Sequence, residues 1–314
     1  MKNHEASVVH NLLKFIWDSF SKYLSDKIYL SLLFRYRVGY WMNWNRPRTF
    51  NEKLQWLKIF DRHPEYSRLV DKYEVKDYVS KILGNEFIIP TLGVWNSFEE
   101  INFDALPEQF VLKCTHDSGG VVICHDKATF DIDAARKKLT KNLHKNFYYN
   151  NREYPYKNVK PRIIAEKYME AFTVSETMDR PETAGLTDYK FFCFDGEPRY
   201  CQVIRDRDTT ETIDFYDMEW RHQEFVGLNP EAGNGKTPVE RPKDLLRMKN
   251  ICRSLAEGKS FVRIDLYSIN GSTYFGEITF YPLGGFGKIK PDEWAEKLGD
   301  LIKLPPKGLG NIST

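Results

Sequence analysis

The chain has 314 residues, of which 41% are hydrophobic, 15% aromatic and 29% charged. Such a chain buries a large core in one domain or a few subdomains, which excludes a disordered or fibrous protein. The 46 Lys and Arg residues are nearly balanced by 44 Asp and Glu residues, so the overall charge does not indicate nucleic acid as a partner, and we expect none. The five cysteines include no Cys-x-x-Cys pair, which is typical of a reducing compartment, and we expect a cytoplasmic protein.

The N-terminal segment carries no pattern of export or membrane insertion. Residues 1–7 lack the apolar core and cleavage site of a signal peptide, so we expect no secretion. Residues 8–44 are rich in apolar and aromatic side chains, but charged residues interrupt them every few positions, and no stretch of 18 apolar residues exists. This favours a helix packed on its own domain. A peripheral contact with a membrane or a lipid-linked precursor is the alternative.

The first hundred residues are predicted to be mainly helical. Thr49 and Glu52 have the spacing of a capping box, which predicts a helix through Phe60. A second helix is predicted over residues 67–83, where Gly84 ends it.

The pattern then changes to strands, and an α+β fold with antiparallel sheet in its second half is predicted. Two strands at residues 110–114 and 121–124 flank a polar turn, and a helix is predicted from about residue 131 to 144. Another helix is predicted from Pro242 to Glu257, and a last helix near Pro291. Further strands are predicted at residues 162–168, 189–194 and 200–204, and a final hairpin over residues 261–281.

The final hairpin brings polar groups together. Arg263 and Asp265 alternate with apolar residues on one strand, and Glu277 and Thr279 do so on the other. A three-residue loop at residues 269–271 would place the two carboxylates on one face, and we predict that loop. Two carboxylates on one face repel unless a cation lies between them, and hard oxygen ligands suit Mg²⁺ bound to the phosphates of a nucleotide. A solvated strand face is the alternative interpretation.

Two other motifs are weaker. Residues 233–237 imitate the end of a phosphate-binding P-loop, but no apolar strand precedes them and Pro230 occupies the position of the first glycine, so a surface loop is predicted. Residues 114–125 contain two cysteines and two histidines, but two of these lie inside apolar strands with no standard zinc spacing, so core cysteines are favoured.

Eight segments along the chain carry a resemblance to a known superfamily: residues 71–72, 110–113, 116–120, 164–169, 188–190, 263–265, 276–279 and 282–285. In their type and order they resemble the ATP-grasp superfamily of carboxylate–amine ligases. Residues 51–58, 110–116 and 188–196 are more closely similar to the TupA-like ATP-grasp group, which is associated with teichuronopeptide and other cell-surface polysaccharide biosynthesis.

The resemblance implies an ATP-grasp fold, with ATP between two subdomains. It implies a mainly helical region over residues 1–105, a small central α+β subdomain over residues 106–165 with the glycine loop, and a larger antiparallel-sheet subdomain over residues 166–314 with the metal-binding hairpin. The implied cofactors are ATP and Mg²⁺. The resemblance assigns ATP contacts to Lys72, Lys113, Ser118, Gly119, Gly120, Glu166, Met169 and Asp188, catalytic roles to Lys190 and Arg263, and metal contacts to Asp265, Glu277 and Thr279. Thr279 stands where many of these enzymes have asparagine.

The implied activity is ATP-dependent amide formation through an acylphosphate. The expected partners are a small-molecule or saccharide carboxylate, such as a uronic acid or an amino-acid carboxylate, and an amine. A kinase without ligation would use the same nucleotide site. A glycosyltransferase would use an Asp-x-Asp pair, and residues 131–133 and 206–208 match that pattern. A non-catalytic polysaccharide-binding protein would use the many aromatic residues for stacking.

Overall fold

The computed structural model describes residues 20–173, 182–184, 187–205, 211–229 and 231–307. Eight α-helices are assigned within these residues. They are α1 (Asp26–Val38), α2 (Phe50–Phe60), α3 (Tyr66–Val70), α4 (Glu74–Leu83), α5 (Ile132–Leu143), α6 (Tyr148–Asn151), α7 (Leu245–Ala256) and α8 (Glu293–Asp300). Among the residues so described, no helix has both the length and the apolarity that crossing a bilayer requires.

A small antiparallel sheet has four strands. In spatial order these are β1 (Thr91–Trp95), β4 (Ile163–Lys167), β2 (Phe110–Cys114) and β3 (Val121–Cys124). Helix α5 packs on this sheet through Ala135 and Leu139, which are buried with Phe110 and Leu112. The predicted strand–turn–strand–helix unit is confirmed. Strand β1 also belongs to this sheet although it precedes residue 105, and the three-part division of the chain stays a prediction.

A larger antiparallel sheet has six strands. In spatial order these are β10 (His222–Gln223), β9 (Thr212–Asp217), β8 (Glu197–Arg205), β7 (Asp188–Phe194), β12 (Phe261–Ile269) and β13 (Ser272–Thr279). Two further ladders pair β11 (Val226–Leu228) with β14 (Lys288–Lys290), and β5 (Ala171–Thr173) with β6 (Glu182–Ala184). The predicted antiparallel second half is therefore confirmed. The main core lies between this sheet, α2 and α7.

Helix α2 forms as predicted and has two buried faces. Thr49 and Glu52 make both hydrogen bonds of the capping box. The apolar face packs into the main core, where Phe50 meets Phe261 with ring centroids 5.0 Å apart. The second face is polar: Asn51, Gln55 and Lys58 recur at helical spacing and are buried.

The polar face of α2 holds the loop that follows β13. The amide of Asn51 donates to the carbonyls of Gly285 and Gly287 at 3.0 and 2.8 Å. Gln55 donates to Gly285 at 2.9 Å, and the ammonium of Lys58 donates to Gly284 at 2.6 Å. Burial lowers the pKa of Lys58 to about 7. The polar face of α2 therefore fixes the path of the chain immediately after the predicted metal-binding strand.

One predicted helix begins later than expected, and another begins where it was predicted. The helix predicted from Pro242 begins at Leu245, although the carbonyl of Pro242 accepts a hydrogen bond from the amide of Leu245. The last helix begins at Glu293, near Pro291 as predicted. In both cases the proline lies in the turn that leads into the helix.

Candidate active site

The helix predicted over residues 67–83 is broken, and the break positions Lys72. The Asp71 carboxylate accepts hydrogen bonds from the backbone amides of Tyr73 and Glu74 at 2.8 and 3.0 Å, which ends α3 and begins α4. The other carboxylate oxygen of Asp71 pairs with Arg162 at 2.8 Å. The single-helix prediction was therefore wrong, because a buried aspartate at this position competes with the helical backbone.

Lys72 lies against the glycine loop that joins β2 and β3. Its backbone amide donates to the carbonyl of Thr115 at 3.0 Å, and its ammonium donates to the carbonyl of Asp117. Ser118 and Gly119 are exposed at the tip of the loop. A Cβ at Gly120 would lie 2.5 Å from the carboxylate of Asp117, so this side chain occupies the space that glycine leaves free. The structure thus brings Lys72, Ser118, Gly119 and Gly120 together.

Two lysines hold the carboxylate of Glu166 at the end of β4. Lys113, on the neighbouring strand, lies 2.6 Å from it, and Lys76, on α4, pairs with its other oxygen. Burial would raise the pKa of Glu166, but Lys113 and Lys76 outweigh this effect and lower it. Met169 lies two residues beyond the strand and is half-buried. The adenine contacts predicted for Glu166 and Met169 stay predictions.

Lys76 is a site residue that sequence reasoning missed. It lies four residues after Lys72, which places both lysines on one side of α4 and its preceding turn. This four-residue spacing is the sequence feature that could have identified Lys76. Burial lowers the pKa of Lys76, against the opposing effect of Glu166.

The hairpin of β12 and β13 places Asp265 opposite Glu277, but by a different route from the predicted one. Ile269 pairs with Ser272, so the loop has two residues, and both Asn270 and Gly271 have positive φ. The three-residue loop was wrong. Asp265 pairs with Glu277 while Leu266 pairs with Phe275, which leaves Gly276 as an extra residue in a β-bulge. The bulge shifts the register by one residue and restores the common face.

Arg263 lies between the two carboxylates. Its Nε and Nη2 atoms contact Asp265 at 2.6 and 2.7 Å, and Nη2 also contacts Glu277 at 2.7 Å and Thr279 at 3.1 Å. The Thr279 hydroxyl is 2.9 Å from Glu277. On the adjacent strand β7, the ammonium of Lys190 pairs with Asp265 and lies 2.5 Å from Asp188. Three carboxylates and two cations therefore form one cluster, the hairpin cluster, with one negative charge in excess.

The two carboxylates that face each other differ in their pKa values. Burial raises the pKa of Asp265 to about 6, against the opposing effects of Arg263 and Lys190. For Glu277, burial also acts upward, but Arg263, Lys190 and Lys72 lower the pKa to about 2. Glu277 is the more accessible carboxylate, with 43% of its side chain exposed against 2% for Asp265.

Charged residues of both sheets act on one side chain of β12. Tyr267 is half-buried, and its pKa is raised well above its ordinary value, first by burial and then by Asp188, Asp265 and Glu277 of the large sheet and Glu166 of the small one. Lys72 from the helical region acts on Glu277 of the hairpin. Lys72 of the helical region and Glu166 of the small sheet therefore lie near enough to the hairpin for their charges to act on its residues.

The hairpin cluster fits Mg²⁺ by its donor chemistry. Mg²⁺ is commonly bound by one or two carboxylates together with phosphate oxygens, rather than by an all-protein cage. Asp265 and Glu277 provide two such carboxylates in register. Within the described ranges, no three His, Cys, Asp or Glu side chains are grouped as a metal site. The phosphates of a nucleotide would therefore have to supply the remaining ligands.

The competing motifs have other partners. Asp131 caps α5 by accepting from the amide of Ala134 at 2.8 Å, and Asp133 pairs with Arg136 at 2.7 Å. These contacts explain one Asp-x-Asp triplet as part of a helix start. The second triplet, residues 206–208, lies outside the described residues. Residues 233–237, which imitate the end of a P-loop, belong to no helix or strand and form a loop as predicted. The amide of Gly235 donates to the carboxylate of Asp214 at 3.1 Å.

Comparison with known proteins gives one family match. Residues 52–303 match the sequence model of the TupA-like ATP-grasp family. A comparison with curated proteins gave no match. The family model covers the helical segment from α2 onward, both sheets and the hairpin cluster.

Solved ATP-grasp structures show distant similarity. D-alanine–D-alanine ligase from Bacillus anthracis is 19% identical, with a TM-score of 0.41 over 74% of this chain and 66% of that chain. The ATP-grasp ligase PsnB with its minimal precursor is 10% identical, with a TM-score of 0.40 over 76% and 62%. A RimK domain ATP-grasp protein from Sphaerobacter thermophilus is 11% identical, with a TM-score of 0.39 over 76% and 69%. This chain spans about two thirds of the length of these proteins, and the family assignment rests on the family match alone.

Proposed function

Because the chain belongs to the TupA-like ATP-grasp family, we propose that it is an ATP-dependent carboxylate–amine ligase that works through an acylphosphate. The observation that supports this most directly is that Lys72, which contacts the glycine loop, lies near enough to the hairpin cluster to lower the pKa of Glu277. Lysines and a glycine loop suit the phosphates of ATP, and a cluster with an excess negative charge suits the cation that accompanies them.

We assign the following roles to the residues of this site. Lys72 and Lys113 bind the phosphates, and Lys190 balances charge on the group being transferred. Ser118, Gly119 and Gly120 cover the phosphates and exclude water from the acylphosphate. Asp265 and Glu277, with Thr279, would hold Mg²⁺, which would withdraw charge from the phosphoryl oxygens when bound. Arg263 pairs with Asp265 and Glu277 through its Nε and Nη2 atoms. We propose that its Nη1 atom donates a hydrogen bond to the acceptor carboxylate.

The reaction has two steps. A carboxylate oxygen attacks the γ-phosphorus and the bond to the β–γ bridging oxygen breaks, which gives an acylphosphate and ADP. The lone pair of an amine then attacks the acyl carbon, phosphate leaves, and the amine proton passes to solvent or a base. We propose a saccharide-linked or amino-acid carboxylate of a cell-surface polymer precursor as the acceptor, and a cytoplasmic site of action. The TupA-like resemblance supports this finer assignment.

Trapping with hydroxylamine tests the proposal. The purified chain is incubated with ATP, Mg²⁺, hydroxylamine and a panel of uronic acids and amino-acid carboxylates, and hydroxamate and ADP are measured. We expect hydroxamate and ADP in equal amounts with a subset of carboxylates, because hydroxylamine attacks an acylphosphate. ADP formation with a stable phosphoester and no hydroxamate would establish a kinase instead. Stabilisation by a sugar nucleotide but not by ATP would favour the glycosyltransferase.

A further inference from the structure

The outer face of α1 exposes large apolar side chains. Ile28, Leu32 and Tyr36 follow one another at four-residue spacing, which aligns them in one row along the helix. They are 53%, 38% and 80% exposed. The opposite face of α1 is buried through Leu30 and Phe34 in a cluster that includes Phe286. Packing of α1 on its own domain, as predicted, therefore uses one face and leaves a second apolar face exposed.

The same part of the chain is one-sided in charge. Residues 27–51 contain five Lys and Arg residues and no Asp or Glu. Asp26, immediately before them, is turned toward protein cations: it lies 2.5 Å from Arg62 and 3.5 Å from Arg152. Trp41, 61% exposed, adds a second large aromatic side chain. We call Ile28, Leu32, Tyr36 and Trp41, with the basic residues Lys27, Arg35 and Arg46, the aromatic–basic surface.

We propose that the aromatic–basic surface docks the protein on the surface of an anionic lipid bilayer. Arg48 pairs with Glu296 at 3.0 Å, but Lys27, Arg35 and Arg46 form no ion pair with the residues that the structure describes, and anionic headgroups would complement them. Tyrosine and tryptophan are stable at the boundary between headgroups and acyl chains, and aliphatic residues on one helix face insert below it. Apolar insertion and charge attraction together supply the two signals that stable peripheral binding requires.

Other occupants of the surface fit less well. A two-fold dimer through this face would bring the same basic side chains of two copies together, which is repulsive. Residues 1–19 carry two Lys and two acidic residues, so they offer no net negative charge. A single-stranded nucleic acid would use the aromatic and basic residues but not the aliphatic Ile28 and Leu32, which neither stack on bases nor bind phosphate.

Co-sedimentation of the full-length protein with lipid vesicles tests the proposal without nucleotide, so its outcome is independent of the ligase proposal. We expect binding to phosphatidylcholine vesicles that contain 30% phosphatidylglycerol, weak binding to pure phosphatidylcholine, and a decrease with salt. The double variants Tyr36→Ser/Trp41→Ser and Lys27→Glu/Arg46→Glu should each lower the partition coefficient at least about tenfold. Leu246→Ser, at an exposed apolar position on α7, is the matched control and should bind as wild type.

Five outcomes would overturn the proposal. The first two are equal binding to neutral and anionic vesicles, and no binding to either. The third is loss of binding in Phe15→Ser/Trp17→Ser but not in Tyr36→Ser/Trp41→Ser. The last two are a dimer that Tyr36→Ser/Trp41→Ser dissociates in sedimentation velocity, and binding of single-stranded DNA that the same variant abolishes, each without vesicle binding. Melting temperatures and hydroxamate formation, which the surface variants should retain, separate loss of docking from loss of folding.

Discussion

Replacing Arg263 with methionine removes the cation that pairs with both Asp265 and Glu277. The variant leaves two carboxylates facing each other in register, one of them almost fully buried. Loss of one partner from a buried ion pair typically costs about 3–5 kcal/mol. At about 2 °C per kcal/mol for a chain of this size, we expect the melting temperature in EDTA at pH 7 to fall by about 6–10 °C.

Two further measurements make this prediction specific to the hairpin cluster. Burial raises the pKa of Asp265 to about 6 even in the presence of Arg263. The contribution of Asp265 to the free energy of unfolding is therefore present at low pH and is lost as the pH rises through this pKa. Removal of Arg263 raises the pKa of Asp265 further. The deficit of Arg263→Met should consequently be smaller at pH 5.5 than at pH 8. Mg²⁺ should raise the melting temperature of the variant more than that of wild type, because the two carboxylates then lack a cation.

Arg253→Met provides the matched control, because Arg253 pairs with Glu197 at 2.9 Å on the surface, where both side chains are more than 40% exposed. That variant should lose no more than about 1 kcal/mol. If the melting temperature of Arg263→Met equals that of wild type, the ion pairs of Arg263 contribute nothing to stability. If it is destabilised but insensitive to Mg²⁺, Asp265 and Glu277 do not form a magnesium site.

Three other substitutions have expected outcomes. Asp265→Asn should melt at or above wild type in EDTA, because burial disfavours the charged carboxylate and its two cationic partners each keep another carboxylate, whereas ADP formation should be lost. A large fall in melting temperature would contradict this. Lys76→Met should weaken ATP binding about tenfold by calorimetry, whereas Lys81→Met, exposed on the same helix, should not. Gly120→Ala should displace the Asp117 carboxylate and weaken ATP binding, and an unchanged affinity would mean that the glycine loop does not close over phosphate.

The sequence located the hairpin carboxylates correctly but gave the wrong reason for their common face. Alternation with period two identifies the face of each strand, and it contains no signal for an extra residue. Gly276 was the only local hint, since glycine inside a strand pattern often marks a bulge. The two-residue loop at Asn270 and Gly271 is the more usual choice for that dipeptide, and the bulge is what makes it compatible with a shared face.

The broken helix and the partners of Arg263 were harder to predict, for different reasons. Asp71 resembles any acidic residue in a helix until Arg162, 91 residues later, is known to pair with it. Arg263 is two residues from Asp265, so proximity was evident, but whether it pairs with one carboxylate or both depends on the register across the turn. Local patterns therefore predicted which elements form, while contacts between distant segments decided how their side chains are used.

The hydrogen bonds between α2 and the loop after β13 have a consequence for how the chain can be divided into fragments. A fragment that starts after Phe60 would keep both sheets and the hairpin cluster, yet the carbonyls of Gly284, Gly285 and Gly287 would lose the donors that Asn51, Gln55 and Lys58 provide. Removal of α2 would also uncover the apolar core that its other face covers, including Phe261. We therefore expect nucleotide binding only in fragments that contain both α2 and the loop after β13.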